Sequence, residues 1–321
     1  MKRIPFLLLA ASVLAASLTA CGSPAASSSS APPSSAQSSA AQGYTFTDDL
    51  GRTVTVQQPE RVAALIGSFA DVWCLAGGQS TLVAAAHDAW TSFDLGLSDT
   101  VADLGAVKEP NLEVLLAAQP DLILASCNTT ADLELESTFE SAGIPAAYFD
   151  IQSFDDYLNM LKICTVLTGC PENYETYGLQ VQEQVEASKA RQDGSAPTVL
   201  TIRATGSSCK VKGSQDFLLG EMLSDLGCVN VADSETSLLE ELSLEAILAA
   251  DPDYIFVVLQ GSDAADAQET LEKTLLSNPA WSSLRAVQEG RFHTLEHSLY
   301  NLKPNARWGE AYEKLADILY P

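Results

Sequence analysis

NLEVLLAAQPDLIL, residues 111–124, returns as SLEAILAADPDYIF at residues 243–256, with eight of the fourteen positions identical and no gap. Each copy opens on a residue able to cap a helix, Asn111 or Ser243, and places Glu113 or Glu245 in the first turn. An apolar helical run follows, then Pro-Asp, then a short β-branched or aromatic run. That is the pattern of a helix feeding a buried strand. Repetition reports architecture more directly than any single motif. One pair is too few for a solenoid, and it predicts two similar α/β lobes.

Between the copies lies PENYETYGLQVQEQVEASKARQ, residues 171–192. Tyr174, Tyr177, Val181, Val185 and Ser188 recur at spacings of three and four, which puts one modest apolar stripe on an otherwise polar helix. Pro171 suits a first turn, and Gly194 with Pro197 ends the run. About twenty helical residues span ~30 Å. Such a helix is a poor core element and is predicted to be the strut between the lobes.

Working outward, residues 44–56 alternate like a hairpin, and a strand is predicted at 61–66. A tight loop at Gly67, Ser68 and Phe69 and a helix at 70–76 follow. Strands at 81–86, 121–125 and 146–149 then alternate with helices. The second lobe repeats the scheme with strands at 198–203, 254–259 and 291–294, a loop at 204–214, and a last helix at 307–319. Alternation of this kind predicts mainly parallel sheets covered on both faces, two lobes bridged by one long helix, and a ligand cleft between them.

Residues 1–20 carry Lys2 and Arg3 before an apolar run of about fourteen residues, too short to span a bilayer and typical of a signal peptide. The run ends in Leu18-Thr19-Ala20-Cys21, which resembles the lipobox of bacterial lipoproteins and implies lipidation at Cys21. Residues 21–43 are almost entirely Ser, Ala, Pro, Gln and Gly, the composition of a disordered tether. The expected divisions are then an N-terminal lobe at 44–153, a helical linker at 154–196 and a C-terminal lobe at 197–321. The protein is expected outside the cytoplasm, touching the membrane through its N-terminal lipid alone.

Beyond Lys2 and Arg3, fifteen basic residues face 42 acidic ones. That surface repels nucleic acid and anionic headgroups and argues against both as partners. Six cysteines follow Cys21: Cys74, Cys127, Cys164, Cys170, Cys209 and Cys228. No CxxC occurs, and Cys164–Cys170 or Cys209–Cys228 are the pairs that an exported chain could bridge.

FTDDLGRTVTV with PERVAAL, the two copies above, LLGEMLSDLGCVNVAD and NPAWSSLRAVQEGRFHTL together resemble the substrate-binding lipoproteins of ABC importers for iron–siderophore complexes, haem and cobalamin. The matching stretches run almost the length of the mature chain. The resemblance implies two lobes on a single-helix hinge, a monomeric receptor without catalysis or cofactor, and a metal chelate as ligand. It also implies that one surface Glu per lobe, here Glu113 and Glu245, docks onto the permease of the importer.

In open α/β sheets ligands bind outside the carboxyl ends of strands. The first wall of the cleft is then expected from Ser68, Phe69, His87, Trp90, Asn128 and Thr129. The second is expected from Arg203, Lys210, Lys212 and the segment from Glu296 to Tyr300. Arg203, Lys210 and Lys212 lie within ten residues of one another in an acidic chain. They read either as a site for an anionic chelate or as a solvated loop. Phe69, Trp90 and Tyr300 are candidate stacking platforms. His87 is a candidate haem ligand, whereas His293 and His297 read as structural, and no direct metal site is expected. Ferric siderophore is the leading ligand, with haem and cobalamin open. No GxSxG, HExxH, P-loop or GxGxxG stands in a supporting context, leaving a cleft metalloenzyme as the alternative of a different class.

Overall fold

The computed structural model describes residues 43–215, 217–261 and 264–321; the expected signal peptide, Cys21 and the tether through residue 42 lie outside the described residues. A hairpin of β1 (Tyr44–Thr47) and β2 (Thr53–Val56) leads in. The first lobe then gathers β3 (Val62–Ala64), β4 (Leu82–Ala85), β5 (Ala102–Asp103), β6 (Leu122–Ser126) and β7 (Ala146–Phe149) into a parallel sheet of order β5-β4-β3-β6-β7. The second lobe builds its sheet from β8 (Thr198–Ala204), β9 (Cys209–Lys212), β10 (Val229–Asn230), β11 (Tyr254–Leu259) and β12 (Phe292–Leu295). Its order is β10-β8-β11-β12, all parallel, with β9 antiparallel on β8. All five residues of β6 are buried, as a central strand covered on both faces requires. Strand β9 corrects the expected loop at 204–214, because Cys-Lys-Val-Lys alternates buried and open positions along β8.

The sequence repeat is also a repeat of contacts. Asn111 caps the helix Leu112–Ala117 by accepting from the Val114 N–H at 3.1 Å, and Ser243 caps Leu244–Ala250 by accepting from the Ala246 N–H at 3.2 Å. Both helices end on a residue in the left-handed region, Gln119 at φ 48° and Asp251 at φ 38°, directly before Pro120 and Pro252. Proline disfavours the right-handed helical conformation in its predecessor, and that stops the helix. The Asp after each proline then secures the head of its lobe's first sheet strand. Asp121 accepts from the Glu60 and Arg61 N–H groups at 2.9 and 3.0 Å, and Asp253 from the Thr198 N–H at 2.9 Å.

The bridge begins after the helix Phe154–Thr168, which stops at Gly169 with φ 73°. Helical structure then runs from Glu172 to Lys189, including a π turn at Glu175–Leu179. Near its start, Asn173 donates to the Leu75 carbonyl of the first lobe at 2.9 Å. At its end Lys189 pairs with Asp225 of the second lobe at 2.7 Å, and just beyond it Gln192 donates to the Asp225 carbonyl. The apolar stripe read from the spacing is the covered face of this helix. Val181, Val185 and Ser188 are buried, and the C-terminal helix Trp308–Leu319 packs along the bridge. Close approach is possible because residue 309 is glycine; a Cβ there would lie 2.0 Å from Gln184 Oε1.

The last segment ties the lobes a second time. Asn305 donates to the Ser68 carbonyl at 2.9 Å and to Asp71 Oδ2 at 2.8 Å, both in the first lobe. Three residues later Trp308 is fully buried against Phe154, with ring centroids 5.8 Å apart. One apolar core therefore runs continuously from Phe149 and Phe154 through Trp308 and Tyr312 to Phe256, while each sheet keeps a private core on its other face. The six cysteines at 74, 127, 164, 170, 209 and 228 are free thiols, so neither candidate pair is bridged. Among the described residues no helix is long and apolar enough to cross a membrane.

Asp132, at the exit of β6, is buried with a single partner for its carboxyl, the Ser126 N–H at 2.8 Å, while Oδ1 has none. Burial pushes its pKa up to about 7 against the opposing pull of that hydrogen bond. A carboxyl raised in the folded state penalises folding once the unfolded chain ionises, so the penalty grows from about pH 4 and levels off above pH 7. Asp132→Asn is expected to stabilise the protein by on the order of 1–2 kcal/mol at pH 7.5 and by little at pH 4. Urea unfolding at both pH values checks this; an equal effect at the two would contradict it.

Candidate functional site

The carboxyl ends of both sheets open onto one trough. At one end β11 and β12 release Gln260, Gly261, Glu296, His297 and Ser298, which with Thr91 and Ser92 of the first lobe line a groove of about 680 Å³. At the other end, residues 205–208, Arg203 and Lys210 meet Lys108 of the first lobe around a hollow of about 490 Å³. Gln260 and Gly261 belong to both, so the two are continuous.

Register explains the basic end. Arg203 on β8 stands directly opposite Lys210 on β9. Like charges in such a pair cost a few tenths of a kcal/mol to about 1 kcal/mol. Arg52, Lys189, Arg191, Arg285, Arg307 and Lys314, by contrast, pair with carboxylates. Among the described residues no carboxylate pairs with Lys108, Arg203 or Lys210. Lys212 departs from the expected trio. It lies two residues further along β9, opposite Thr201, with its ammonium 5.9 Å from the Phe217 ring centre, and it lines a separate depression with Asp233.

The expected first wall is corrected in part. Ser68 and Phe69 lie inside the helix Gly67–Leu75 rather than a loop, and both are buried. The Phe69 ring meets Phe149 edge-on at 6.1 Å, which makes it core and not platform. Tyr300 is buried too, donating its hydroxyl to the Ala311 carbonyl at 3.0 Å. Trp90 is half-buried against the shared core. Exposed Asn128 donates to Asp150 Oδ1, with Thr129 half-buried beside it. His87 is exposed, with Nδ1 2.7 Å from Asp103 Oδ2. Although slight burial opposes it, the Gly105 N–H and His87 together hold the Asp103 carboxyl below its usual range. None of these four lines the trough described above.

The two remaining histidines separate. His293 stacks on Phe256 with ring centres 5.6 Å apart, as a structural residue would. His297 sits at the exit of β12, inside the trough. Lys108, Thr91, Ser92 and Gln260 are trough residues that the sequence reading missed. Lys108 had a weak local signal, since it follows β5, a strand of only two residues. Glu113 and Glu245 are exposed in the first turns of the repeated helices, and neither is ion-paired. Among the described residues no group of three or more His, Cys, Asp or Glu could hold a bare metal ion.

Residues 62–299 match the family model described as periplasmic binding protein. The chain belongs to the periplasmic binding protein family. Among its curated relatives are the iron-uptake system-binding protein of Bacillus subtilis, 25% identical over 68% of this chain and 67% of that one, and the Fe(3+)-citrate-binding protein YfmC of the same organism, 24% identical over 79% and 78%. The solved structure of Staphylococcus aureus SirA complexed with staphyloferrin B superposes with a TM-score of 0.66 at 24% identity, covering 86% of this chain and 97% of that one. The periplasmic binding protein fold of two lobes around a cleft is thus shared.

Proposed function

We propose that this protein is the extracytoplasmic receptor of an ABC importer, that it captures a ferric chelate bearing acidic groups, and that it hands the chelate to the permease. The observation that carries the reading is the unmatched trio of Lys108, Arg203 and Lys210, drawn from both lobes onto one trough in a strongly acidic chain. Cations kept free of carboxylates at a built-in cost are suited to an anionic guest. Relatives named for iron uptake and ferric citrate support the cargo class. The receptor acts by binding rather than by catalysis. The lipid expected at Cys21 would hold it at the outer face of the membrane, and Cys21→Ser would shed it into the medium.

Tryptophan fluorescence of the body starting at residue 44 tests the reading against ferric citrate, a ferric tris-catecholate, a ferric hydroxamate, haem and cobalamin. An acidic ferric chelate is expected to saturate at submicromolar concentration. Replacing Lys108, Arg203 and Lys210 together by Ala is expected to weaken it about 100-fold or more, since hydrogen bonds to charged groups contribute about 1.5–3 kcal/mol each. Tight cobalamin binding that survives the triple replacement would overturn the assignment.

A further inference from the structure

Strand β9 is short and under load. It has four residues, pairs with β8, and sets Lys210 directly opposite Arg203. Repulsion between those two side chains pushes the trough end of β9 away from β8. Both ends of the strand are fastened from outside the ladder. At the far end, buried Asn230 donates to the Lys212 carbonyl at 2.9 Å and to Thr201 Oγ1 at 3.2 Å. At the trough end, the Thr270 hydroxyl donates at 3.0 Å to the carbonyl of Gly206, in the turn between β8 and β9. Thr270 belongs to the helix Ala264–Leu271, which runs on into a π turn at Glu272–Leu276. Within that π turn, Thr274 hydrogen-bonds the thiol of Cys209, the first residue of β9. Two hydroxyls of one helical segment thus hold the turn and the start of the strand.

The turn does not need the helix for its own shape. Thr205 closes it, donating its N–H to the Ser208 carbonyl at 2.8 Å and accepting through Oγ1 from the Ser208 N–H at 3.0 Å. The bond from Thr270 therefore fixes where the turn stands rather than how it is folded. Residue 206 is glycine at this contact, and a Cβ there would lie 3.2 Å from the Asp266 Cβ, so the helix lies close against the turn. Residues 205–208, Arg203 and Lys210 all line the basic end of the trough, whereas Thr270 lines neither part of it. We propose, on the chelate-receptor reading above, that Thr270 is a positioning residue for the cargo. By holding the β8–β9 turn against its helix, it keeps Arg203 and Lys210 at the spacing from Lys108 that an acidic chelate requires. Freed from Thr270, the turn yields to the repulsion, the basic end widens, and charge-assisted bonds to the chelate lengthen.

The test titrates the body starting at residue 44 with ferric citrate and with a ferric tris-catecholate at several salt concentrations. The wild type, T270V, T270S and the triple Ala replacement of Lys108, Arg203 and Lys210 are compared. Val keeps the branched shape of Thr without the donor, and Ser keeps the donor. T270V is expected to bind the tighter chelate at least about tenfold more weakly, the scale of one hydrogen bond to a charged group. Its salt dependence is expected to be shallower than that of the wild type, because fewer close charge contacts remain to be screened. T270S is expected to match the wild type in both respects. A general loss of stability would weaken binding without flattening the salt dependence. Wild-type affinity in T270V, a loss with unchanged salt dependence, or a T270S as weak as T270V would overturn the inference. In each of those cases the receptor reading still stands if the triple replacement weakens binding. A wild type that binds neither chelate, or a triple replacement that binds as the wild type does, would overturn both.

Discussion

A receptor carrying Glu113→Arg and Glu245→Arg is expected to bind its chelate with unchanged affinity and to deliver none of it. Both carboxylates are exposed, unpaired, and fixed in the first turn of helices that share sequence, cap and stop. Nothing in the body needs them for packing. Reversing them costs at most a fraction of a kcal/mol to about 1 kcal/mol each through the helix dipole. The docking role expected of the two residues needs a cationic surface on the permease, and against such a surface two reversed charges would face like charges at a cost of several kcal/mol. Single reversals should leave partial transport, because one anchor remains. Radiolabelled iron uptake beside a binding titration of the purified body separates delivery from capture. Wild-type uptake by the double variant would remove both residues from the docking surface.

Trp308→Ala should lower stability by about 3–5 kcal/mol, the range for deleting a large buried aromatic side chain. Trp308 is fully buried, 5.8 Å from the Phe154 ring and 6.2 Å from that of Tyr312, at the point where the first lobe, the bridge and the C-terminal helix converge. Its indole Nε1 has no hydrogen-bond partner, so the loss is one of packing rather than of a polar contact. Because the core is continuous between lobes, the cavity should weaken the whole body in a single unfolding transition. A loss below about 1 kcal/mol would mean that the shared core holds the lobes together far less than its burial implies.

The repeat was legible in the sequence because both of its ends are written in local chemistry. Asn111 and Ser243 announce a helix start, and Pro120 and Pro252 force the stop. The bridging helix was legible from its spacing, yet its cover was not. Val181, Val185 and Ser188 meet a helix more than a hundred residues away, and no local signal names that partner. The site divided in the same way. Arg203 and Lys210 could be grouped because they are close in the chain, but the same closeness drew in Lys212, which strand geometry carries away from them. Lys108 joins them only through the facing of the lobes. His297 read as structural from its spacing to His293, whereas the chain leaves β12 between the two residues. Ser68 and Phe69 were misplaced by a helix that starts three residues earlier than the apolar pattern suggests.

The π turn at Glu175–Leu179 behaves as one extra residue threaded into the bridge. Each helical residue advances the chain by about 1.5 Å and turns it by about 100°. A residue deleted there would be absorbed as the turn closes to ordinary α-helix, leaving Arg203 and His297 still facing Lys108 and Thr91. The same deletion in the regular stretch Gln180–Lys189 has no such slack: it demands a turn of about 100° that the second tie through Asn305 and Trp308 resists. The π turn is thus the one place in the bridge where chain length can change without changing the mutual aim of the two walls.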